Sequence, residues 1–350
     1  MSISSTLINW YLQKKRNLPW RNSSNPYEIW VSEIILQQTR VAQGTSYYHH
    51  FLERFPTVES LATADIEDVL KVWQGLGYYS RARNMHAGAK YVLQQHKGDF
   101  PPNYQDLLKI KGVGEYTAAA IGSFVFNIPV AVVDGNVNRV IARILGIHDP
   151  VNSSAGSKKI KDIADKILDA SNPGIHNQAI MEFGALQCTV KNPDCAYCPL
   201  QSDCYAFIHN EVSVLPQKIK PQKVRDRYFN YLIIKSNDNI YLRKRAGKDI
   251  WHGLYEFPLI ESDKALSQKE LQQSYSWNAI FQGNNFEIVH SSDTFKHKLS
   301  HQTIHATFHI IKVSGSLPDT LNDTMVIKKE EIVRFPVSKL IENFISTYTL

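Results

Sequence analysis

The chain has 350 residues, with 39 Lys and Arg against 33 Asp and Glu, and a formal charge of +6. At about 150 residues per domain that length predicts two domains, and a composition 43% hydrophobic and 21% charged excludes disordered, collagenous and coiled-coil classes. Four cysteines are too few for a disulfide scaffold, and no apolar run approaches the ~18 residues of a membrane span. Asn9, Gln13, Lys14, Lys15 and Arg16 break up the N-terminus, which lacks the apolar core of a signal peptide. The expectation is a soluble, cytoplasmic protein with no membrane attachment, whose mild basic excess permits a nucleic-acid partner.

Through about residue 215, apolar residues recur at helical spacing. Leu7, Ile8, Tyr11 and Leu12 form one stripe, and Val69, Leu70, Val72 and Trp73 contribute to another. Between them, Glu33 has Ile29, Trp30 and Leu36 as its helical neighbours at i−4, i−3 and i+3. A glutamate on so apolar a face is either partnered or held with a raised pKa, and a raised pKa is what a general acid needs at neutral pH. Residues 107–121 read as helix, glycine turn, helix. Gly112 and Gly114 allow a tight turn, and the second helix opens with N–H groups able to hold a phosphate; an ordinary helical corner is the plain alternative. Asp134 follows the apolar run Val130–Val133 and precedes a helix over 137–145. It reads equally as an N-cap, worth about 1 kcal/mol, and as a carboxylate aimed into a cleft. A further helix is expected over 158–168.

All four cysteines, Cys188, Cys195, Cys198 and Cys204, fall in one C-x6-C-x2-C-x5-C stretch. Such clustering argues for a metal or iron–sulfur site over disulfides. Structural zinc sites pair two C-x2-C knuckles and only one is present, so a [4Fe–4S] cluster on four thiolates fits the uneven spacing better, with zinc as the alternative. Four occupied thiolates leave no open position, which implies a structural role. Residues 212–226 then combine Pro216 and Pro221 with Lys218, Lys220, Lys223 and Arg225, a basic linker composition. Beyond it the period changes to that of strands: Tyr228–Lys235, a turn at Ser236–Asn239, Ile240–Arg243, and alternation from Gln302 to Lys312. That alternation argues against a helical metal site at His297, His301, His305 and His309, and puts His305 and His309 on the polar face of a strand. The fold class is multidomain: an all-α domain over 1–211, the linker 212–226, and an α+β domain over 227–350.

Several segments together resemble the helix-hairpin-helix DNA glycosylases that carry an iron–sulfur cluster, and among them the adenine DNA glycosylases of the MutY type. They are Leu18-Pro19-Trp20-Arg21, Trp30 to Thr39, Gly75 to Asn84, Gly112 to Thr117, Val133 to Val137, Asn177 to Glu182 and the cysteine loop. From about Arg227 onward, Tyr241 to Arg245 and Trp251 to Pro258 resemble the Nudix-like domain appended to such enzymes. No RExxEE core is present, so the likeness implies recognition and not phosphohydrolysis.

The resemblance implies a monomeric enzyme, a hydrolase of N-glycosyl bonds. It would act on double-stranded DNA carrying adenine opposite 8-oxoguanine or guanine, associated with the nucleoid in a bacterium. Glu33 would protonate adenine, Asp134 would stabilise the sugar cation, and Tyr116 and Asn136 would orient these groups. Trp20, Arg21 and Glu182 would line the adenine pocket, and Gln38 and Tyr79 would wedge into the base stack, with aromatic core packing as the plain alternative for Tyr78 and Tyr79. Lys111, Gly112 and Gly114 would meet the DNA backbone, Arg81 reads as a plain solvated charge or as a phosphate contact, and Ser300 and His301 would read 8-oxoguanine. Leu299 stands where the family carries Phe, and Lys111 where it usually has Pro. The related bifunctional enzymes use a hairpin Lys as Schiff-base amine. Tyr116 occupies that position, which implies excision without strand cleavage. The rival readings are an endonuclease III-like pyrimidine glycosylase/lyase and a non-catalytic DNA-binding module.

Overall fold

The computed structural model describes residues 2–220, 224–281, 285–314, 321 and 323–348. Pro221 and Lys223, part of the basic stretch, lie outside them. In chain order the helices are α1 (Ile3–Lys14), α2 (Pro26–Ile35), α3 (Val41–Arg54), α4 (Val58–Thr63), α5 (Ile66–Val72), α6 (Ser80–His96), α7 (Tyr104–Leu107), α8 (Glu115–Val125), α9 (Gly135–Leu145), α10 (Ser154–Ile167), α11 (Pro173–Leu186) and α12 (Tyr205–Ile208). Strands β1 (Arg225–Ser236), β2 (Asn239–Lys244), β3 (Tyr255–Glu256) and β4 (Leu259–Ser262) follow, then α13 (Gln268–Gln273) and α14 (Tyr275–Phe281). β5 (Asn285–Ser291), β6 (Phe295–Lys298), β7 (Gln302–Ser314), β8 (Thr324–Lys328) and α15 (Lys339–Thr347) complete the order. No helix among the described residues is long and apolar enough to cross a membrane.

The chain divides into two compact units, residues 1–63 with 84–220, and residues 64–83 with 221–350. This division differs from a simple N-terminal and C-terminal partition, because 64–83 groups with the strands. Hydrogen bonds within the second unit show why: Lys71 Nζ donates to Phe335 O, Tyr79 Oη to Val337 O, and Arg83 to His252 O. The expected linker is also shorter than its composition suggests. Leu215 O accepts from Arg143, Gln217 O from Val151 N, and Ile219 pairs with Asn152 on both backbone groups, while β1 already starts at Arg225.

The first unit is helical, and its core centres on α9, whose Val137, Val140, Ile141 and Ile144 pack with Leu7 and Tyr11 of α1 and Phe183 of α11. Burying side chains of this size contributes roughly 1.5–3 kcal/mol each. The α1 stripe is narrower than its periodicity implies, for Leu12 is 56% exposed.

In the second unit the strands form one mixed sheet in the order β3-β2-β1-β7-β5, with β4 on β1, β6 on β7 and β8 on β2. β1 and β7 are parallel, and the other pairs are antiparallel. Side chains alternate along β1: Phe229, Tyr231 and Ile233 pack with α15, while Leu232 and Ile234 pack with Leu271, Trp277 and Phe281 of α13 and α14. Because both faces are covered, His309 is buried and not on a polar face. It is 3% exposed, bonded to Ser291 Oγ, and its pKa is pushed down to about 4 by burial. His305 remains partly exposed and pairs with Asp226.

Candidate active site

α2 starts at Pro26 behind Asn25, whose side chain accepts from Tyr27 N, and it packs against α8. Its apolar faces are so fully covered that Glu33, in its last turn, is 7% exposed. Tyr116, in the first turn of α8, donates to Glu33 Oε2 at 2.6 Å. Burial lifts the Glu33 carboxyl to about 7, the Tyr116 bond opposes the shift, and the Asp134 charge adds to it. Both sequence alternatives therefore hold: Glu33 is partnered and has a raised pKa.

Asp134 likewise satisfies both readings. It caps α9, accepting from Asn136 N (2.9 Å) and Val137 N (2.8 Å), and its second oxygen accepts from Asn136 Nδ2 at 2.8 Å. Burial raises its pKa, and these donors work against that rise. Both carboxyls line one cavity of about 660 Å³, with Trp20, Arg21, Gln38, Tyr116, Asn136 and Glu182 also in its wall. Gln38 is exposed at its edge with φ 58°, a left-handed backbone rare for a side chain of this type.

Glu182 does not face the cavity as a free acceptor. Arg21 donates to both its oxygens (2.9 and 2.7 Å), and Arg16 adds its Nε and backbone N–H, each at 2.9 Å. Despite burial, these donors bring its pKa down to about 2. Two glutamates in one cavity thus sit on opposite sides of the ordinary carboxylate value.

The hairpin between α7 and α8 turns at Gly112, where φ is +84° and an added Cβ would lie 2.8 Å from Asn84 Cβ. Gly114 differs from expectation: φ is −95°, with open space beside it, so no conformational need fixes glycine there. It caps α8 without a side-chain bond, and Lys111, three residues earlier, is exposed.

Two expected DNA contacts are corrected. Tyr79 is 5% exposed, and its hydroxyl accepts from Gly75 N and donates to Val337 O, so it is packed and presents no wedge. Its neighbour Tyr78 is 50% exposed at φ 46°. Arg81 bonds Leu76 O and Gly77 O and lies over the Trp73 and Tyr78 rings. Burial lowers it to about 10, and it braces the 75–78 turn from within. Ser300 and His301 are exposed in the turn between β6 and β7, closed by Leu299 N donating to Gln302 O, while Leu299 packs on the sheet core.

The four cysteines are free and half-buried. Among the described residues no group of three or more His, Cys, Asp or Glu side chains is arranged to hold a metal ion as it stands. Burial pushes the Cys198 thiol up to about 11, with Cys188, Cys204 and Cys195 contributing to that rise. A [4Fe–4S] cubane takes four thiolates, and this donor set is all thiol. Arg143 adds positive charge, donating to Cys188 Sγ at 3.4 Å and to Thr189 O. Arg139 ties the same loop to the cavity, bonding Cys188 O, Gly184 O and Asn136 Oδ1. The close approach requires Gly184, whose added Cβ would stand 2.6 Å from Asn136 Cβ. Arg16, Arg139 and Arg143 escaped the sequence reading, since none belongs to a recognisable spacing.

Comparison with known proteins agrees with this arrangement. The model for HhH-GPD superfamily base excision DNA repair proteins matches residues 31–170, and a NUDIX domain model matches 230–347. Adenine DNA glycosylase from Buchnera aphidicola subsp. Baizongia pistaciae is 36% identical, covering 86% of this chain and 83% of its own. The enzyme of that name from Buchnera aphidicola subsp. Schizaphis graminum is 34% identical, with 89% and 88% covered. A solved thermostable thymine-DNA glycosylase superposes with a TM-score of 0.55 at 26% identity, covering 59% of this chain and 95% of its own. Sustained over both units, that kinship is decisive: the chain belongs to the adenine DNA glycosylase family, hydrolases of N-glycosidic bonds in base excision repair.

Proposed function

We propose that this enzyme excises adenine opposite 8-oxoguanine, or opposite guanine, from duplex DNA by a monofunctional route. The observation that carries the reading is the buried Glu33 carboxyl, lifted to about 7 beside Tyr116 in a cavity shared with Asp134. Adenine leaves poorly as an anion. Glu33 in its protonated form donates to N7 of the flipped base, and its conjugate base then activates water. Asp134, held by Asn136 and the α9 N-terminus, stabilises the oxocarbenium-like sugar. Tyr116 positions Glu33. A phenol cannot form the Schiff base that strand cleavage requires, so the product is an abasic site in an intact strand.

Trp20 and Arg21 line the base pocket, with Glu182 fixing the Arg21 guanidinium. Lys111, Gly112 and Gly114 contact phosphate through the uncapped start of α8. Gln38 and Tyr78 are the exposed side chains suited to entering the stack. Ser300 and His301 contact the partner base. Cys188, Cys195, Cys198 and Cys204 hold a [4Fe–4S] cluster, which fixes the loop when bound. The enzyme works as a cytoplasmic monomer.

The test incubates the protein with duplexes carrying A opposite 8-oxoguanine, A opposite G, or thymine glycol, half of each sample receiving alkali. Breaks confined to the A strand after alkali are expected. Breaks without alkali would end the monofunctional reading, and breaks at thymine glycol would favour the lyase rival.

A further inference from the structure

The second unit contains its own cavity, about 400 Å³, with three walls: the 76–80 turn with Arg83, the segment Asp249–Trp251, and the turn 298–302 that carries Ser300 and His301. These walls are distant in sequence, and one side chain outside the cavity joins two of them. Arg227 of β1 is 8% exposed, and its guanidinium binds two carboxylates in bidentate fashion. It donates to Asp249 at 2.9 and 2.8 Å and to Glu261 at 2.7 and 2.6 Å. A further N–H reaches Gln302 Oε1 at 3.4 Å, and two residues earlier on the same strand Arg225 N donates to His301 O.

Asp249 is shared with Arg245, whose Nε also holds Ile250 O, so the Asp249–Trp251 wall is pinned from two sides. The wall needs such pinning because Trp251 sits at φ 59°, an outlying backbone for a bulky residue, which persists only when its surroundings impose it. Burying a guanidinium is costly unless it is fully paired, and replacing such pairs with apolar side chains is often neutral or stabilising. Stability therefore gives little reason for this arginine at this position; geometry gives a reason.

We infer that Arg227 is a positioning residue for partner-base discrimination: it sets the distance between the Asp249–Trp251 wall and the Ser300-His301 turn. The inference rests on the reading that Ser300 and His301 contact the partner base. Arg227 touches no DNA itself. Its planar fork is the feature that matters, because a lysine ammonium retains the charge but cannot hold two carboxylates and Gln302 in one plane. Glu261 is the internal control: it binds the same guanidinium from β4 but belongs to neither wall.

The experiment measures single-turnover excision of adenine opposite 8-oxoguanine and opposite guanine for the full chain and its variants, each first checked for a wild-type circular dichroism spectrum. Arg227→Lys should lower the preference for 8-oxoguanine by about threefold to tenfold, the worth of one or two misplaced hydrogen bonds. Asp249→Asn should do the same, and it stands in if Arg227→Lys does not fold. Glu261→Gln should leave the preference within about twofold, since Arg227 keeps its bond to the cavity wall. Wild-type preference in both Arg227→Lys and Asp249→Asn, with Ser300→Ala losing it, would overturn the inference alone. Wild-type preference in Ser300→Ala and His301→Ala as well would overturn the partner-base reading together with it.

Discussion

The cavity of the helical unit and the ion network of the second unit solve the same problem in opposite ways. Each buries a carboxyl group, Glu33 in the cavity and Glu256 in the network. In the network every carboxylate meets a guanidinium: Asp249 accepts from Arg227 and Arg245 and is held well below its ordinary pKa, and Glu256, 2% exposed, lies against Arg243 and Arg245. In the cavity Glu33 has, among the described residues, a phenol and no arginine as its hydrogen-bond donor and rises to about 7. Glu182, in the same cavity, follows the pattern of the network and falls to about 2. Burial alone raises a carboxyl and an arginine reverses the effect. The acid able to deliver a proton is the one denied an arginine.

The largest expected effect is on Glu33→Gln. Excision should fall by about a thousandfold, within the range attributed to general acids, while duplex affinity in a gel-shift assay stays near wild type. Activity within tenfold of wild type would erase the contrast between the two regions. Glu182→Ala should next destabilise the helical unit by about 3 kcal/mol in urea unfolding, because Arg21 loses its buried partner. A loss well under 1 kcal/mol would show that the two arginines find other acceptors.

Glu33→Gln should also change stability, with a sign set by linkage. The folded pKa lies above the unfolded one, so the buried anion costs stability as pH rises from about 4.5 to 7 and fully above it. The variant should therefore be more stable than wild type by roughly 3 kcal/mol at pH 8 and nearly equal at pH 4. An equal difference at both pH values would locate the effect in packing. The smallest effect concerns His309, whose folded pKa of about 4 lies below the unfolded value. Its contribution is complete above about pH 6.5 and diminishes by about 1 kcal/mol by pH 5.5. His309→Asn should flatten that slope in acid unfolding curves; an unchanged slope would assign it to other groups.

Much of this could be read from local pattern. Glu33 among Ile29, Trp30 and Leu36, Asp134 ahead of an amphipathic helix, and alternation along β7 each depend on neighbours within a few residues. Most of the misreadings come from contacts between segments far apart in sequence; Arg81, bonded to Leu76 O and Gly77 O, is the local exception. Arg16 and Glu182 are 166 positions apart, and no periodicity announces that pair. Tyr78 and Tyr79 are adjacent and chemically alike, yet Val337 takes the second hydroxyl and leaves the first ring exposed. Alternation puts His309 on a polar face because it says nothing of α13 and α14 covering the far side of the sheet.

The central claim, that Glu33 acts as an acid tuned by burial and by Tyr116, is tested most directly by the pH dependence of single-turnover excision in wild type and Tyr116→Phe. The wild-type rate should decline above about pH 7, approaching tenfold per pH unit as the proton is lost. In Tyr116→Phe the decline should begin at higher pH, because the removed hydroxyl favours the Glu33 anion. A wild-type rate that stays level through pH 9, or a decline that Tyr116→Phe moves to lower pH, would contradict the account.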